Sequence, residues 1–330
     1  MVMNYWGKIM ERLMIIVPAY NEEAALPKTL GILEELLKKL KHQNLVGDGS
    51  KVVVVNDGSS DKTWQIIENY HRLNSDITGI NFSRNFGHQN AIIGGLSASL
   101  DFGDVFITID ADLQDDVEAM VSMIQARSKG FDVVYGARNN RETDTEFKKW
   151  TATAFYGFMK KIGVEMIPQA ADYRLMSRRV VEYLLKYKEK NLFLRGIVPT
   201  IGFPSTVVYY ARKEREAGTT KYPLRKMLSF AWDGITSFSV APMHFVLGMG
   251  IVTTLVSALM LLYTTGKYFA GETIQGWSSL MVSIWFLGGI QLIGLSIIGE
   301  YIGKIFNEVK GRPRYIIQDN LLRGDLNEDK

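Results

Sequence analysis

The sequence predicts an α/β fold, in which helices cover both faces of a parallel sheet, followed by two helices long enough to cross a membrane. Short apolar runs alternate with amphipathic helical patterns as far as Arg138, which is typical of a doubly wound sheet. One run, Val52–Val55, is apolar at every position, as expected of a strand buried on both faces. Two uncharged stretches, Phe245–Gly266 and Thr273–Gly299, each exceed the roughly 20 residues that cross a bilayer.

The predicted elements of the sheet follow one another in a regular order. The first strand, Arg12–Val17, stops at Pro18, and a leucine-rich helical pattern starts near Asn21. The second strand ends in the polar turn Asn56–Ser60, and a helix follows that turn. Three further strands are predicted at Ile77–Phe82, at Val105–Ile109 and at Asp132–Tyr135, with a helix at Asp115–Lys129 between the last two.

Charged side chains fall directly after several of these strands. The carboxyl ends of parallel strands meet at one edge of the sheet, which is where ligands bind in such folds. Asp110 and Asp112 are separated by one residue. Two such carboxylates stay ionised most easily when a divalent cation lies between them and an anion such as a diphosphate. A solvated acidic turn is the alternative. The residues that the pattern places at this edge are Asp57, Arg84, Asp110, Asp112 and Arg138.

Composition excludes several classes of function. The net charge of +3 is too small to indicate a nucleic acid partner. The chain has no cysteine, which excludes disulfides, thiolate metal sites and cysteine nucleophiles. Its four histidines are scattered, without the spacing of zinc ligands. Residues 1–12 carry charges before any long apolar run, so we do not expect a signal peptide.

The C-terminal part of the chain predicts a membrane anchor. A basic segment with Arg215 and Lys221 precedes Tyr222–Phe238, which has the composition of a helix lying at a membrane surface. The two uncharged stretches follow, and a buried apolar hairpin is the alternative to membrane spans. Lysines and arginines flank the pair on both outer sides, so the positive-inside rule places both ends and the α/β domain in the cytoplasm. We expect the polar tail after Gln318 to be frayed.

These patterns divide the chain into four parts. We expect a cytoplasmic α/β domain in residues 1–221, a juxtamembrane amphipathic helix in 222–242, two transmembrane helices in 243–302 (about 243–266 and 276–300), and a cytoplasmic tail in 303–330.

The ordered motifs of the chain resemble those of glycosyltransferase family 2. Five of them lie in the α/β domain: Val17–Glu23, Asn56–Ser60, Arg84–Asn90, Asp110–Gln114 and Gly136–Arg138. Three more motifs, with the pair of spans, are similar to the polyprenyl-phosphate glycosyltransferases, and most of all to the bacterial undecaprenyl-phosphate glucosyltransferases. These three are Asp172–Leu175, Phe193–Gly196 and Arg215–Arg225, and the resemblance runs from Leu13 to about Ile317.

The resemblance implies a GT-A (Rossmann-like) fold, a nucleotide-sugar donor, Mg²⁺ or Mn²⁺ as cofactor, and inversion at the anomeric carbon. It implies that Asp112 and Gln114 hold the metal. By the same resemblance Asp172 acts as a base or orients the acceptor, and Arg215 binds phosphate, so the predicted catalytic residues are Asp172, Asp112 and Arg215. The predicted contacts to the nucleotide-sugar are Pro18, Tyr20, Glu22, Asp57, Asp110, Ala111, Arg138 and Lys221.

The sequence departs from the family pattern at one place. A proline-containing turn usually follows the acidic motif, whereas this chain has Asp115 and Asp116. These acids either favour the N-terminus of a helix or change the set of metal ligands. His88, at the start of a predicted helix, is interpreted as a structural residue rather than a base.

We expect the chain to transfer one sugar to a polyprenyl phosphate in the bacterial inner membrane. Glucose from UDP-glucose is the first choice, and mannose from GDP-mannose is the second. A processive polysaccharide synthase agrees less well with the sequence. The chain has no Gln-x-x-Arg-Trp motif, which such synthases carry, and two helices cannot enclose a polymer. A non-catalytic, membrane-tethered protein that binds nucleotide-sugars stays open. Further expected partners are a second copy of the chain, as a homo-oligomer, and a flippase that acts on the product.

Overall fold

The computed structural model describes residues 10–139, 167, 170–190, 193–211, 236, 241–270 and 276–324. These residues form two compact units. The first unit combines the described residues up to 211 with 312–324, and the second contains 236, 241–270 and 276–311.

The first unit alternates strands and helices in the predicted way. Its elements are β1 Leu13–Ala19, α1 Leu26–His42, β2 Lys51–Asn56, α2 Thr63–Leu73, β3 Ile77–Phe82, α3 His88–Ser99, β4 Val105–Thr108, α4 Ala119–Ser128, β5 Val133–Arg138, β6 Ala170–Ser177, α5 Arg178–Lys186, α6 Leu194–Thr200 and β7 Ser205–Tyr210. The second unit holds α7 Ala241–Phe269 and α8 Trp277–Val309, after which the first unit resumes with β8 Ile317–Asn320 and α9 Leu321–Gly324.

The strands form one mixed sheet in the order β7-β5-β6-β4-β1-β2-β3-β8. Pairing is parallel between β1 and β2, β2 and β3, β1 and β4, and β5 and β7. The chain runs outward from β1 to β3 and then returns to place β4 on the other side of β1. The strand order therefore reverses between β1 and β4, and such a switch point opens a crevice at the carboxyl ends of the strands.

Burial on both faces explains why the strands are apolar throughout. All seven residues of β1 are buried, as are Val52–Val55 of β2. Helix α1 covers one face with leucines spaced three and four apart, including Leu26, Leu30, Leu33 and Leu37, each at most 1% exposed. The predicted α/β sheet is therefore confirmed.

Two strands differ from the sequence expectation, and both run antiparallel to their neighbours. Strand β6 lies between β4 and β5, where the sequence indicated only a motif around Asp172. Strand β8 pairs with the edge strand β3 and the helix α9 follows it, so the expectation of a frayed tail after Gln318 was wrong for residues 319–324. Residues 325–330 lie outside the described residues. Neither Ala170–Ser177 nor Ile317–Asn320 carries a run of β-branched residues. Pairing with the sheet, rather than local propensity, makes them strands.

The second unit contains the two predicted apolar helices. Windows at Pro242–Met260 and Phe286–Val309 have mean hydropathies of 1.8 and 1.4, enough by length and composition to cross a membrane. Almost none of either window is buried, and Leu259, for example, is 67% exposed. Helix α8 continues to Val309, beyond the predicted end at 300. Of the predicted surface helix Tyr222–Phe238, every residue but Thr236 lies outside the described residues.

Candidate active site

The sheet brings the predicted acidic residues to one edge. Strands β1, β2 and β4 are parallel, so the residues after their carboxyl ends share that edge. Strand β6 runs the opposite way, and its Arg174 lies beside Thr108, the last residue of β4. Asp172, two residues before Arg174, therefore extends past the end of β4 toward Asp110. The Thr108 hydroxyl donates a hydrogen bond to the Asp172 carbonyl oxygen and fixes this register.

Asp57 holds two loops of this edge together. Its carboxylate is 2% exposed and accepts hydrogen bonds from the backbone N–H groups of Phe86, at 2.7 Å, and Gly87, at 2.9 Å. Burial raises the pKa of Asp57, and the two backbone hydrogen bonds oppose that shift. The predicted nucleoside contact therefore also has a structural task, because it joins the turn after β2 to the loop before α3.

His88 lies between two carboxylates, at the N-terminus of α3. Its Nε2 atom is 3.4 Å from Oδ1 of Asp110 and 3.9 Å from Oδ2 of Asp172, and its side chain is 44% exposed. Burial raises the pKa of Asp110, His88 lowers it, and the neighbouring acids Asp172, Asp115 and Asp112 raise it. The interpretation of His88 as a structural residue rather than a base stays a prediction, and the structure places its ring beside both Asp110 and Asp172.

Two arginines bind the carboxylate of Asp172. Arg174, 2% exposed, donates from Nη2 to Oδ1 at 2.6 Å, and its Nη1 donates to the Leu194 carbonyl oxygen at 3.0 Å. Arg195 donates from Nη2 to Oδ2 at 3.2 Å. Burial would raise the pKa of Asp172, but Arg174 and Arg195 outweigh it and the pKa is lowered. A carboxylate with a lowered pKa is a weak base, so this geometry favours orientation of the acceptor over proton removal.

The turn that carries the predicted metal ligands has an unusual backbone. Leu113 adopts a φ of 44°, a left-handed conformation that costs a residue other than glycine free energy and is characteristic of functional turns. Asp112 on one side is exposed, Gln114 on the other is buried, and the Gln114 N–H donates to Oδ1 of Asp112 at 3.3 Å. The Leu113 N–H donates to the Asp110 carbonyl oxygen at 3.3 Å, which closes a turn over Ala111 and Asp112.

The chemistry of this turn suits a hard divalent cation. A carboxylate and a side-chain carbonyl are the oxygen ligands that Mg²⁺ and Mn²⁺ prefer. Within the described residues no group of three or more His, Cys, Asp or Glu side chains could hold a metal. One or two protein ligands are usual for Mg²⁺ when phosphates of a substrate supply the others. Asp112 and Gln114 therefore fit the predicted role, which stays a prediction.

Asp115 forms a second buried ion pair at this edge. Arg138, at the end of β5, donates to Oδ1 of Asp115 from both Nε and Nη2 at 3.2 Å. The Tyr210 hydroxyl donates to the same oxygen at 2.7 Å. The Asp115 side chain is 2% exposed and that of Arg138 is 33% exposed. Asp115 thus holds Arg138 at the edge of the site, a role that the sequence did not indicate.

The remaining predicted residues divide into three groups. Tyr20, 49% exposed, and Glu22 follow β1 at the same edge, so the structure places them with the site. Pro18 and Ala111 are buried, and the Ala111 carbonyl accepts a hydrogen bond from Thr29 at 2.6 Å. The predicted phosphate ligands Arg215 and Lys221 lie outside the described residues.

Sequence reasoning missed Arg174 and Arg195 as members of the site. Both lie in motifs that carry the family resemblance, Asp172–Leu175 and Phe193–Gly196. The missing information was the antiparallel β6, which places Arg174 and Asp172 on one side of the strand, two residues apart. An arginine two positions after an acid, in a motif of the resemblance, was the available signal.

We expect Gly58→Ala to disrupt the turn after β2. Gly58 has a φ of 65°, and an added Cβ would lie 2.2 Å from the backbone carbonyl carbon of Arg84. The free energy of unfolding should fall by about 3 kcal/mol, because neither the left-handed conformation nor the backbone contact can relax cheaply. Urea denaturation of the purified protein measures this change.

Gly31→Ala is the matched control, since Gly31 lies inside α1 and nothing surrounds its added Cβ within 4 Å. That variant should be more stable by about 0.5–1 kcal/mol, because alanine favours helix over glycine. Equal effects of the two substitutions would show that the turn does not need glycine.

The reversed strand order and the acids, histidine and arginines at its edge define an α/β domain built to act on a charged ligand at a switch point. Residues 14–185 match the family "Glycosyl transferase family 2". The chain belongs to this family and is a glycosyltransferase, which confirms the predicted family and its GT-A fold.

Relatives of known sequence match almost the whole chain. It is 48% identical to "Uncharacterized glycosyltransferase YkoT" of Bacillus subtilis, over 95% of this chain and 93% of that protein. It is 39% identical to the "Bactoprenol glucosyl transferase" of Shigella phage SfII, over 93% of this chain and 97% of that protein. It is also 39% identical to the "Prophage bactoprenol glucosyl transferase homolog" of Escherichia coli, over 93% of this chain and 98% of that protein.

Proposed function

We propose that the protein transfers a single sugar from a nucleotide-sugar, with inversion, to a polyprenyl phosphate at a membrane surface. The observation that carries this proposal is the combination, in one chain, of a family 2 glycosyltransferase domain and two helices apolar enough to span a bilayer. Similarity to proteins named bactoprenol glucosyl transferases favours a polyprenol derivative as the acceptor, glucose as the sugar and UDP-glucose as the donor.

Exposure of the apolar helices supports an acceptor that arrives from a membrane. Within α7 and α8 most described apolar side chains are exposed, and Leu255, Leu262 and Leu292 are 61%, 70% and 67% exposed. Such a surface needs a lipid or protein environment, so the alternative of a hairpin buried in a soluble core loses support. Inner-membrane insertion with the sheet domain on the cytoplasmic side, inferred from the flanking lysines and arginines, belongs to the same proposal.

The donor occupies the crevice at the switch point in this proposal. The nucleoside lies against Tyr20, Glu22 and the turn that contains Asp57, while the diphosphate lies near Asp112. Asp112 and Gln114 would hold Mg²⁺ or Mn²⁺, which would supply positive charge against the leaving diphosphate. Arg138, kept in place by Asp115, adds positive charge at the same edge.

The acceptor phosphate is the nucleophile and needs no strong base. It is already an anion near neutral pH, so one of its oxygens attacks the anomeric carbon while the bond from that carbon to the diphosphate breaks. No proton has to be removed in this step. Arg195, 39% exposed and fixed by Asp172, is suited to bind the incoming phosphate. Asp172 therefore orients the acceptor side, the second of the two roles that the resemblance implied.

Transfer of radiolabelled sugar into an extractable lipid tests the proposal. Full-length protein is incubated with UDP-glucose, undecaprenyl phosphate and Mg²⁺ or Mn²⁺. We expect an acid-labile glycolipid whose formation stops when EDTA is added. A glycolipid formed from GDP-mannose instead would identify mannose as the transferred sugar and would leave the proposed type of reaction unchanged. Nucleotide-sugar binding without any lipid product, across a panel of donors, would favour the non-catalytic binding protein.

A further inference from the structure

A line of side-chain hydrogen bonds crosses the first unit from its last strand to the site. Asp319 of β8 lies directly opposite Asn81 of β3, and the Asn81 Nδ2 atom donates to Oδ2 of Asp319 at 2.8 Å. Asn56, at the end of β2, donates from Nδ2 to Oδ1 of Asn81 at 2.7 Å. Asn56 and Asn81 are 2% and 8% exposed, and buried polar groups of this kind are strongly ordered when each has a partner.

The line continues into the loops that carry the predicted nucleoside contacts. Oδ1 of Asn56 accepts the backbone N–H of Ser59 at 3.3 Å. The Ser59 hydroxyl oxygen accepts the N–H of Asn21 at 2.9 Å, and Oδ1 of Asn21 accepts the N–H of Ser60 at 2.9 Å. Asn21 has a φ of 54° and lies between Tyr20 and Glu22 in the chain. The two nucleoside loops are thus joined to each other and, through Asn56, to Asn81.

We propose that the segment 312–324, which follows the apolar helices in the chain, positions the donor-binding loops through Asp319. Asn56 has one side-chain amide, and its orientation decides whether Oδ1 faces the Ser59 N–H. Asn81 fixes that orientation by accepting from Nδ2, and Asp319, which accepts from Asn81, fixes which end of the Asn81 amide faces Asn56. An exchange of the nitrogen and oxygen ends at either amide would put two donors or two acceptors face to face.

Contacts on the N-terminal side of Asp319 hold the segment to the rest of the first unit. Tyr315 stacks on Phe82 with ring centroids 5.1 Å apart and an interplanar angle of 6°. The Ser83 N–H donates to the Ile316 carbonyl oxygen at 3.1 Å, and Arg314 donates to the Tyr187 carbonyl oxygen. Asp319 is therefore a positioning residue that acts through Asn81 and Asn56, with no contact to the reacting atoms. This inference rests on the proposed nucleotide-sugar donor for its kinetic consequence.

The first variant for the test is Asp319→Ala in the full-length protein. We expect the KM for the nucleotide-sugar to rise about tenfold, the loss expected for one hydrogen bond to a charged group, with kcat and the KM for the lipid phosphate changed less than twofold. The backbone N–H of Ser59 should exchange with deuterium faster. Gln318→Ala is the control, because Gln318 is the exposed neighbour on the same strand and should change neither quantity.

A reciprocal exchange of the two side chains separates positioning from simple loss of stability. Asn81→Asp alone places two carboxylates opposite each other and should weaken donor binding at least as much as Asp319→Ala. When Asn81→Asp is combined with Asp319→Asn, the carboxylate introduced on β3 accepts both from Asn56 and from the amide introduced on β8. The donor KM and the Ser59 exchange rate of this double variant should therefore return to near the wild-type values.

Two results would overturn the inference. One is an unchanged Ser59 exchange rate in Asp319→Ala, and the other is a double variant no better than Asn81→Asp. Hydrogen exchange needs no substrate, so it decides the positioning role even if the wild type transfers no sugar. That failure of transfer would count against the proposed function alone.

Discussion

Asp112→Asn is expected to lower the rate of sugar transfer about a thousandfold while the protein stays folded. Asp112 is the exposed carboxylate of the acidic turn, and the substitution removes a full negative charge from the predicted metal site at almost unchanged shape. Loss of a charge-stabilising contact to the leaving diphosphate costs about 4 kcal/mol of barrier, since each factor of ten is about 1.4 kcal/mol. Initial rates of lipid-linked sugar formation over a range of Mn²⁺ concentrations measure this loss of activity.

Asp116→Asn is the matched control for this substitution. Asp116 is also an acid of the segment after β4, and its side chain accepts the N–H of Glu118 at 3.3 Å, a contact that an asparagine oxygen can keep. Its transfer rate should stay within twofold of the wild type. Full activity of Asp112→Asn, or equal losses in the two variants, would contradict the assignment of Asp112 to the metal.

The parallel part of the fold was predictable from the sequence because strands buried on both faces appear there as uninterrupted apolar runs. Val52–Val55 and Leu13–Val17 are uninterrupted apolar runs, and both became central strands. The ends of these runs also marked the site edge, since polar residues begin where a parallel strand leaves the core.

The antiparallel strands were not predictable in this way. Strand β6 has a buried Arg174 in its middle, and β8 consists of Ile317, Gln318, Asp319 and Asn320. Their residues are tolerated because partners on other elements satisfy them: the Leu194 carbonyl for Arg174, and Asn81 for Asp319. Such pairings join residues distant in sequence, and no local pattern reveals them.

The site residues divide in the same way, into those that the sequence located and those that it did not. Residues that end parallel strands, such as Asp57 and Asp110, were located by position alone. What the sequence did not reveal was the set of partners that decides their chemistry: the N–H groups on Asp57, His88 beside Asp110, and the two arginines on Asp172. The pKa of Asp172 is lowered and that of Asp57 is raised, although both are acids at the same edge. Partners and burial make that difference.

Asp172→Asn is expected to reduce the free energy of unfolding by about 3 kcal/mol at neutral pH. The substitution leaves Arg174, whose side chain is 3% exposed, buried without its negative partner, and breaking a buried pair from one side costs about 3–5 kcal/mol. Arg174→Leu together with Asp172→Asn removes both charges and should recover part of the loss. Urea denaturation of Asp172→Asn, Arg174→Leu and the double variant gives the coupling energy. Glu182→Gln, which weakens the exposed pair of Arg178 and Glu182, should cost under about 0.5 kcal/mol.

The pH dependence of the same variant checks the cause of the loss. The folded-state pKa of Asp172 is lowered from its ordinary value of 3.8, so its carboxylate stabilises the folded protein fully above about pH 4 to 5. That contribution disappears as the pH falls through the lowered folded-state pKa, so the stabilities of the wild type and Asp172→Asn should converge in acid. If Asp172 only orients Arg195, the variant should raise the KM for the lipid phosphate and keep the shape of the pH profile of kcat. Loss of an acid limb from that profile would instead identify Asp172 as a general base.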